Sequence, residues 1–76
     1  MTTGKLDKLA RMANQIGDFY AAKPEDEAAA SAASHLKHFW TPKMIRELIA
    51  FAETGEARLN PTAAHAVAAL KSAAEA

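Results

Sequence analysis

An all-α fold, a small bundle of four short helices, follows from three observations. No segment alternates apolar and polar residues as a half-buried strand does. Ala, Leu, Glu and Lys abound while Val, Ile and Thr are sparse, a composition that favours helix. Proline stands at three places, Lys23-Pro24, Thr41-Pro42 and Asn60-Pro61, and each divides one helical pattern from the next.

The first helix is expected over residues 5–22. Leu6, Leu9, Met12, Ala13, Ile16, Phe19 and Tyr20 fall on one face at a 3.6-residue period, opposite Asp7, Arg11, Asn14, Gln15 and Asp18. Gly17 lies inside it at a cost of up to about 1 kcal/mol against alanine. The plainer reading is a tolerated glycine; the alternative is a site where another backbone comes close. Lys23-Pro24 ends this helix, because the residue before a proline is pushed away from helical dihedrals.

The second helix is expected over 25–39. Pro24 suits a helix start, and Glu25, Asp26 and Glu27 complement the positive end of the helix dipole. Its inner face reads Ala28, Ala29, Ala32, Ala33, Leu36 and Phe39, nearly all alanine for three turns. Thr41-Pro42, a capping hydroxyl followed by proline, restarts the chain as a third helix over 42–54. Met44, Ile45, Leu48, Ile49, Phe51 and Ala52 face inward, and Gly55 is a C′ residue that stops it. Asn60-Pro61 repeats the cap-then-proline signal for a fourth helix over 61–74, with Ala63, Ala66, Val67, Leu70 and Ala74 in a weak apolar stripe. Residues 1–76 form a single domain in this reading, with 1–4 and 75–76 frayed.

The core this sequence offers is thin. Half of the 76 residues are apolar, but 20 of those 38 are alanine, leaving 18 larger apolar side chains. Such a core rarely supplies more than about 3–5 kcal/mol of net stability without a staple. There is no cysteine, so disulfides and thiolate metal sites are excluded. A partner that covers an apolar face would supply the missing stabilisation.

Nine basic and nine acidic residues cancel, which removes the basic footprint of a nucleic-acid binder and the polybasic patch of a membrane binder. No apolar run approaches the ~20 residues that span a bilayer. The stretch Met1 to Lys8 has no apolar core of the kind a secretory signal carries. A soluble cytoplasmic protein is the expectation.

His35-Leu36-Lys37-His38-Phe39-Trp40-Thr41-Pro42-Lys43-Met44 concentrates scarce residues at one helix junction. His35 and His38, three apart, share a helical face, but zinc takes three or four ligands and no carboxylate or cysteine accompanies them in sequence. Ser31 and Ser34 precede the histidines without implying a pocket, and Gly4, Gly17 and Gly55 are too isolated for a phosphate loop. No catalytic, cofactor-binding or metal-ligating residue is assigned. A helix-turn-helix module, with Lys43 and Arg46 on its reading helix, is the alternative function; mixed charges and the missing basic arm count against it. Trp40 either plugs the corner between the second and third helices or contacts a partner, and one ring can do both. The candidate partner-binding residues are Arg11, Asn14 and Gln15, whose other reading is a solvated polar face, with His35, His38, Trp40 and Lys43.

Two blocks of the chain resemble a known family. Arg11-Met12-Ala13-Asn14-Gln15-Ile16 followed by Phe19, and His35-Leu36-Lys37-His38-Phe39-Trp40 followed by Pro42, Lys43 and Met44, are similar to the delta subunit of soluble NAD-dependent formate dehydrogenases. The spacing of the blocks and the later Leu59-Asn60-Pro61 agree, so the resemblance runs from about Leu6 to Leu70. It departs at Thr41, where the family pattern has an acid, and in the richer alanine run of the second helix. The resemblance implies an accessory subunit without a cofactor of its own. It would bind the alpha subunit, which carries a molybdenum or tungsten bis-pterin cofactor and iron–sulfur clusters. The beta and gamma subunits would hold FMN and further clusters, and the complex would oxidise formate and reduce NAD. It implies no catalytic residue in this chain.

Overall fold

In a computed structural model, residues 4–75 are described, and they form the four expected helices. These are α1 (Gly4–Tyr20), α2 (Glu25–Phe39), α3 (Pro42–Glu53) and α4 (Pro61–Glu75). The fraying expected at 1–3 and 76 lies outside the described residues, whereas Gly4 and Glu75 are the end residues of α1 and α4.

Four helix ends differ from expectation by one or two residues, and the first is the start of α1, at Gly4 instead of residue 5. α1 stops at Tyr20 instead of residue 22. The backbone turns there through bonds from Ala21 N to Asp18 O (3.3 Å) and Lys23 N to Tyr20 O (3.0 Å), ahead of the dihedral limit set by Pro24. Pro24 itself stands one residue before α2, and its carbonyl accepts from Ala28 N at 2.8 Å. α3 ends at Glu53 instead of Thr54, because the Thr54 hydroxyl donates to Phe51 O at 2.6 Å and Gly55 then takes φ +81°. α4 runs one residue past the expected end, to Glu75.

The two cap-then-proline signals work as read. Thr41 Oγ1 accepts from Met44 N at 3.2 Å, and Asn60 Oδ1 accepts from Ala63 N at 2.8 Å.

α4 packs against all three other helices. It runs in the same direction as α2: His65 lies 3.4 Å from Glu25 near their starts, and Leu70 and Ala73 border Ala33 and Lys37 near their ends. Among the described residues, seven of the fourteen buried apolar side chains are alanine, so these helices meet on short side chains. The larger part of the core is Leu9, Leu36, Trp40, Leu48, Val67 and Leu70. A smaller cluster of Ala10, Phe51 and Ala57 seals α1 against α3 and the connector that follows it.

The expected inner faces need correction at Ala74, which is exposed, at Ala10, which is buried, and at two phenylalanines. Phe19 and Phe39 are 77% and 74% exposed. At about 100° per residue, Phe19 stands about 120° around α1 from buried Ala13, off the side that meets the core. Phe39 ends α2, and the corner it would fill is occupied by Trp40, which is 7% exposed.

Candidate functional site

Two surfaces distinguish themselves, one closed and one open. The closed one joins α1 to the start of α4. Asn14 Oδ1 accepts from Asn60 N at 2.8 Å, Asn14 Nδ2 donates to Arg58 O at 3.1 Å, and the Asn14 carbonyl accepts from Asn60 Nδ2 at 3.0 Å. Asn60 Nδ2 also donates to Asp18 Oδ1 at 3.0 Å. With its oxygen capping α4, the Asn60 amide uses every hydrogen-bonding group it has. The same bonds hold Arg58 at φ +53°, a left-handed conformation uncommon outside glycine.

Gly17 is what lets these parts meet. A Cβ at this position would stand 2.6 Å from Asn60 Oδ1 and 3.0 Å from Ala63 N. The glycine is therefore a close-approach site, and its reading as merely tolerated is overturned.

The open surface lies where the C-terminal turns of α1 and α2 come together. Phe19 and Tyr20 meet edge to face with centroids 4.9 Å apart. Tyr20 reaches His35 at 6.3 Å, and His35 lies against Phe39 at 4.6 Å. These four rings form a continuous band that leads into a groove of about 460 Å³ lined by Tyr20, Lys23, Ser34, His35, His38 and Phe39, among others. His38 Nδ1 donates to the Ser34 carbonyl at 2.8 Å, which fixes its ring against α2. Fully burying a phenylalanine is worth about 1.5–3 kcal/mol. Two phenylalanines left outside a core this thin leave that gain unrealised within the chain.

The seven partner-binding candidates read from the sequence are dispersed. His35 and His38 border the open groove. Asn14 is committed to the internal clasp, and Trp40 is in the core. Arg11 and Gln15 are exposed on α1, Lys43 is exposed at the start of α3, and none of the three lines the histidines' groove. Phe19, Tyr20, Phe39 and Lys23 complete the open surface and were not among the candidates. The angular position of Phe19 on α1 was the available signal, since the seven apolar residues there span more arc than one core face needs.

The groove's lining residues include no carboxylate, so the histidine pair has no acidic companion there. α3, the reading helix of a helix-turn-helix arrangement, carries Lys43 and Arg46 beside Glu47 and Glu53. Glu47 is bonded to Lys5 at 3.4 Å. No observation favours DNA.

A family model described as NADH-dependent formate dehydrogenase delta subunit FdsD matches residues 8–67, which include both the clasp and the four rings. No curated protein and no solved structure matches the chain.

Proposed function

We propose a role that starts from one fact: the chain belongs to the NADH-dependent formate dehydrogenase delta subunit family. It acts as an accessory subunit that docks on the large, molybdenum- or tungsten-bearing alpha subunit. It supports assembly or stability of the formate-oxidising complex with the beta and gamma subunits. It performs no catalytic step and holds no cofactor; bis-pterin metal, iron–sulfur clusters and FMN belong to its partners. The complex works in the cytoplasm, a placement in keeping with the fact that no described helix is long and apolar enough to cross a membrane.

The observation that carries this reading is the exposed aromatic band. Among the described residues, Phe19 and Phe39 are the two large apolar side chains left mostly exposed, and they lie on one surface, bridged by Tyr20 and His35. Such rings, desolvated against a partner, make the anchors of protein interfaces. The polar clasp on α1 supports the surface, because it ties α1 to α4 and so sets the position of Phe19 and Tyr20.

The test is co-expression of the tagged chain with the alpha, beta and gamma subunits. The wild-type chain is expected to co-purify with the large subunit. The double variant Phe19→Ser, Phe39→Ser should lose that partner and lower the yield of complex active in formate-dependent NADH formation. Co-purification of no oxidoreductase subunit by the wild-type chain would overturn the proposal.

A further inference from the structure

We infer that the last part of α4, from Val67 to Glu75, is a strap that releases from the bundle by local unfolding while the head of α4 stays clasped to α1. This goes beyond the docking role and does not rest on it. The fastenings of α4 are unevenly distributed. Its head is held by the bonds of Asn60 to Asn14 and Asp18 and by the close approach of Ala63 to Gly17. Among the described residues beyond Ala66, the buried ones are Val67 and Leu70. An ion pair of Lys71 with Glu53 ties this part to α3, but both side chains are about half exposed, where such pairs contribute little.

Grooves flank the strap on both sides. One of about 450 Å³ lies toward α3 and is bordered by Ile49, Val67, Ala68 and Lys71, among others. Another of about 630 Å³ lies toward α2 and is bordered by Ala33, Lys37, Leu70 and Ala73, among others. Between them the strap meets the core through Val67 and Leu70.

What the strap leaves behind can stand. Leu9, Leu36, Trp40 and Leu48 of the same cluster come from the first three helices and the corner after α2, and Phe51 packs in the separate cluster with Ala10 and Ala57. Release gives up two buried apolar side chains and regains the conformational entropy of the segment. Segments with few buried apolar contacts open as units, at less cost than global unfolding. A detached piece this short does not stay helical in water, so release and unwinding are one event. The consequence is an apolar surface uncovered on demand: Leu36, Trp40 and Leu48 lose part of their cover while the rest of the fold persists.

The test is hydrogen exchange of the full, unmodified chain, followed amide by amide at low urea concentrations. The amides of Leu70 and Lys71 are expected to exchange about tenfold faster or more than those of Leu36 and Leu48. Their rates should hardly change with urea, the sign of an opening that exposes little surface, while Leu36 and Leu48 accelerate steeply through global unfolding. A second measurement reads the side chains. The chain has no cysteine, so Leu70→Cys and Ala66→Cys each carry a single thiol. Thiol labelling at position 70 should outrun that variant's own global unfolding by about tenfold or more, and labelling at position 66 should not. If the Leu70 and Lys71 amides share the urea dependence of Leu36 and Leu48, or the thiol at position 70 waits for global unfolding, the strap is overturned. Equal exchange of the Ala66 and Leu70 amides would overturn it too, because the whole helix would then open.

Discussion

The α1–α4 seam and the aromatic band divide the chain's side chains in an unusual way. At the seam the contacts are made by glycine, alanine and two asparagine amides, with donor–acceptor distances from 2.8 to 3.1 Å. On the band, two of the chain's three phenylalanines lie mostly exposed. A small domain short of large apolar residues would be expected to bury all of them. Here small and polar groups carry much of the attachment of α1 to α4, and ring surface is left exposed. Trp40 is the exception that makes this possible, because one indole closes the corner in place of Phe39.

The division can be broken most severely at Trp40. Truncation of a buried tryptophan to alanine costs about 3–5 kcal/mol, comparable with the whole net stability of a domain this size. Trp40→Ala should therefore lose most of its helical circular dichroism at 25 °C. A melt within a few degrees of wild type would remove Trp40 from the core side of the comparison.

An intermediate effect is expected at the seam. Gly17→Ala gains up to about 1 kcal/mol in helix propensity but forces Asn60 and the α4 backbone apart, at about 1–3 kcal/mol. A net loss of about 1 kcal/mol in urea unfolding is the expected result, and a stabilised variant would show that the seam yields. Asn60→Ala should cost about 1–3 kcal/mol through the lost cap and the stranded Asn14 groups. Combined with Gly17→Ala it should cost less than the sum, since the clash with the amide is gone.

The smallest effect belongs to the band. Phe39→Ser in the isolated chain should change stability by no more than about 0.5 kcal/mol, because its ring is already 74% exposed. A loss above about 1 kcal/mol would show that the ring supports the fold, and the contrast between the two regions would weaken.

The starts of α3 and α4 were legible because their signals are local. Thr41-Pro42 and Asn60-Pro61 act through the backbone beside them, and both caps form as read. The clasp of Asn14 was not legible, and the close approach at Gly17 was only an alternative reading, because their partners at Asn60 and Ala63 lie more than forty residues along the chain. Periodicity names the apolar residues of a helix but not how much of its circumference the neighbours cover. This is why Phe19 passed as core while Ala10, read as neither, is buried. The dispersal of the seven candidate residues has the same origin. Residue type suggested Asn14 as a donor for another protein, and only the tertiary structure shows its amide occupied at home.

The alanine faces of α2 and α4 have a mechanical consequence. Helices are held in axial alignment by side-chain ridges set into grooves, and ridges one methyl high offer little resistance to sliding. The Asn14–Asn60 bonds supply what the shallow ridges do not. They act as a dowel through α1 and the head of α4, so that translation of α4 by even one residue, about 1.5 Å, would break several directional bonds at once. A pair of amides near one end of the bundle thus sets the alignment of methyl-lined surfaces along its length.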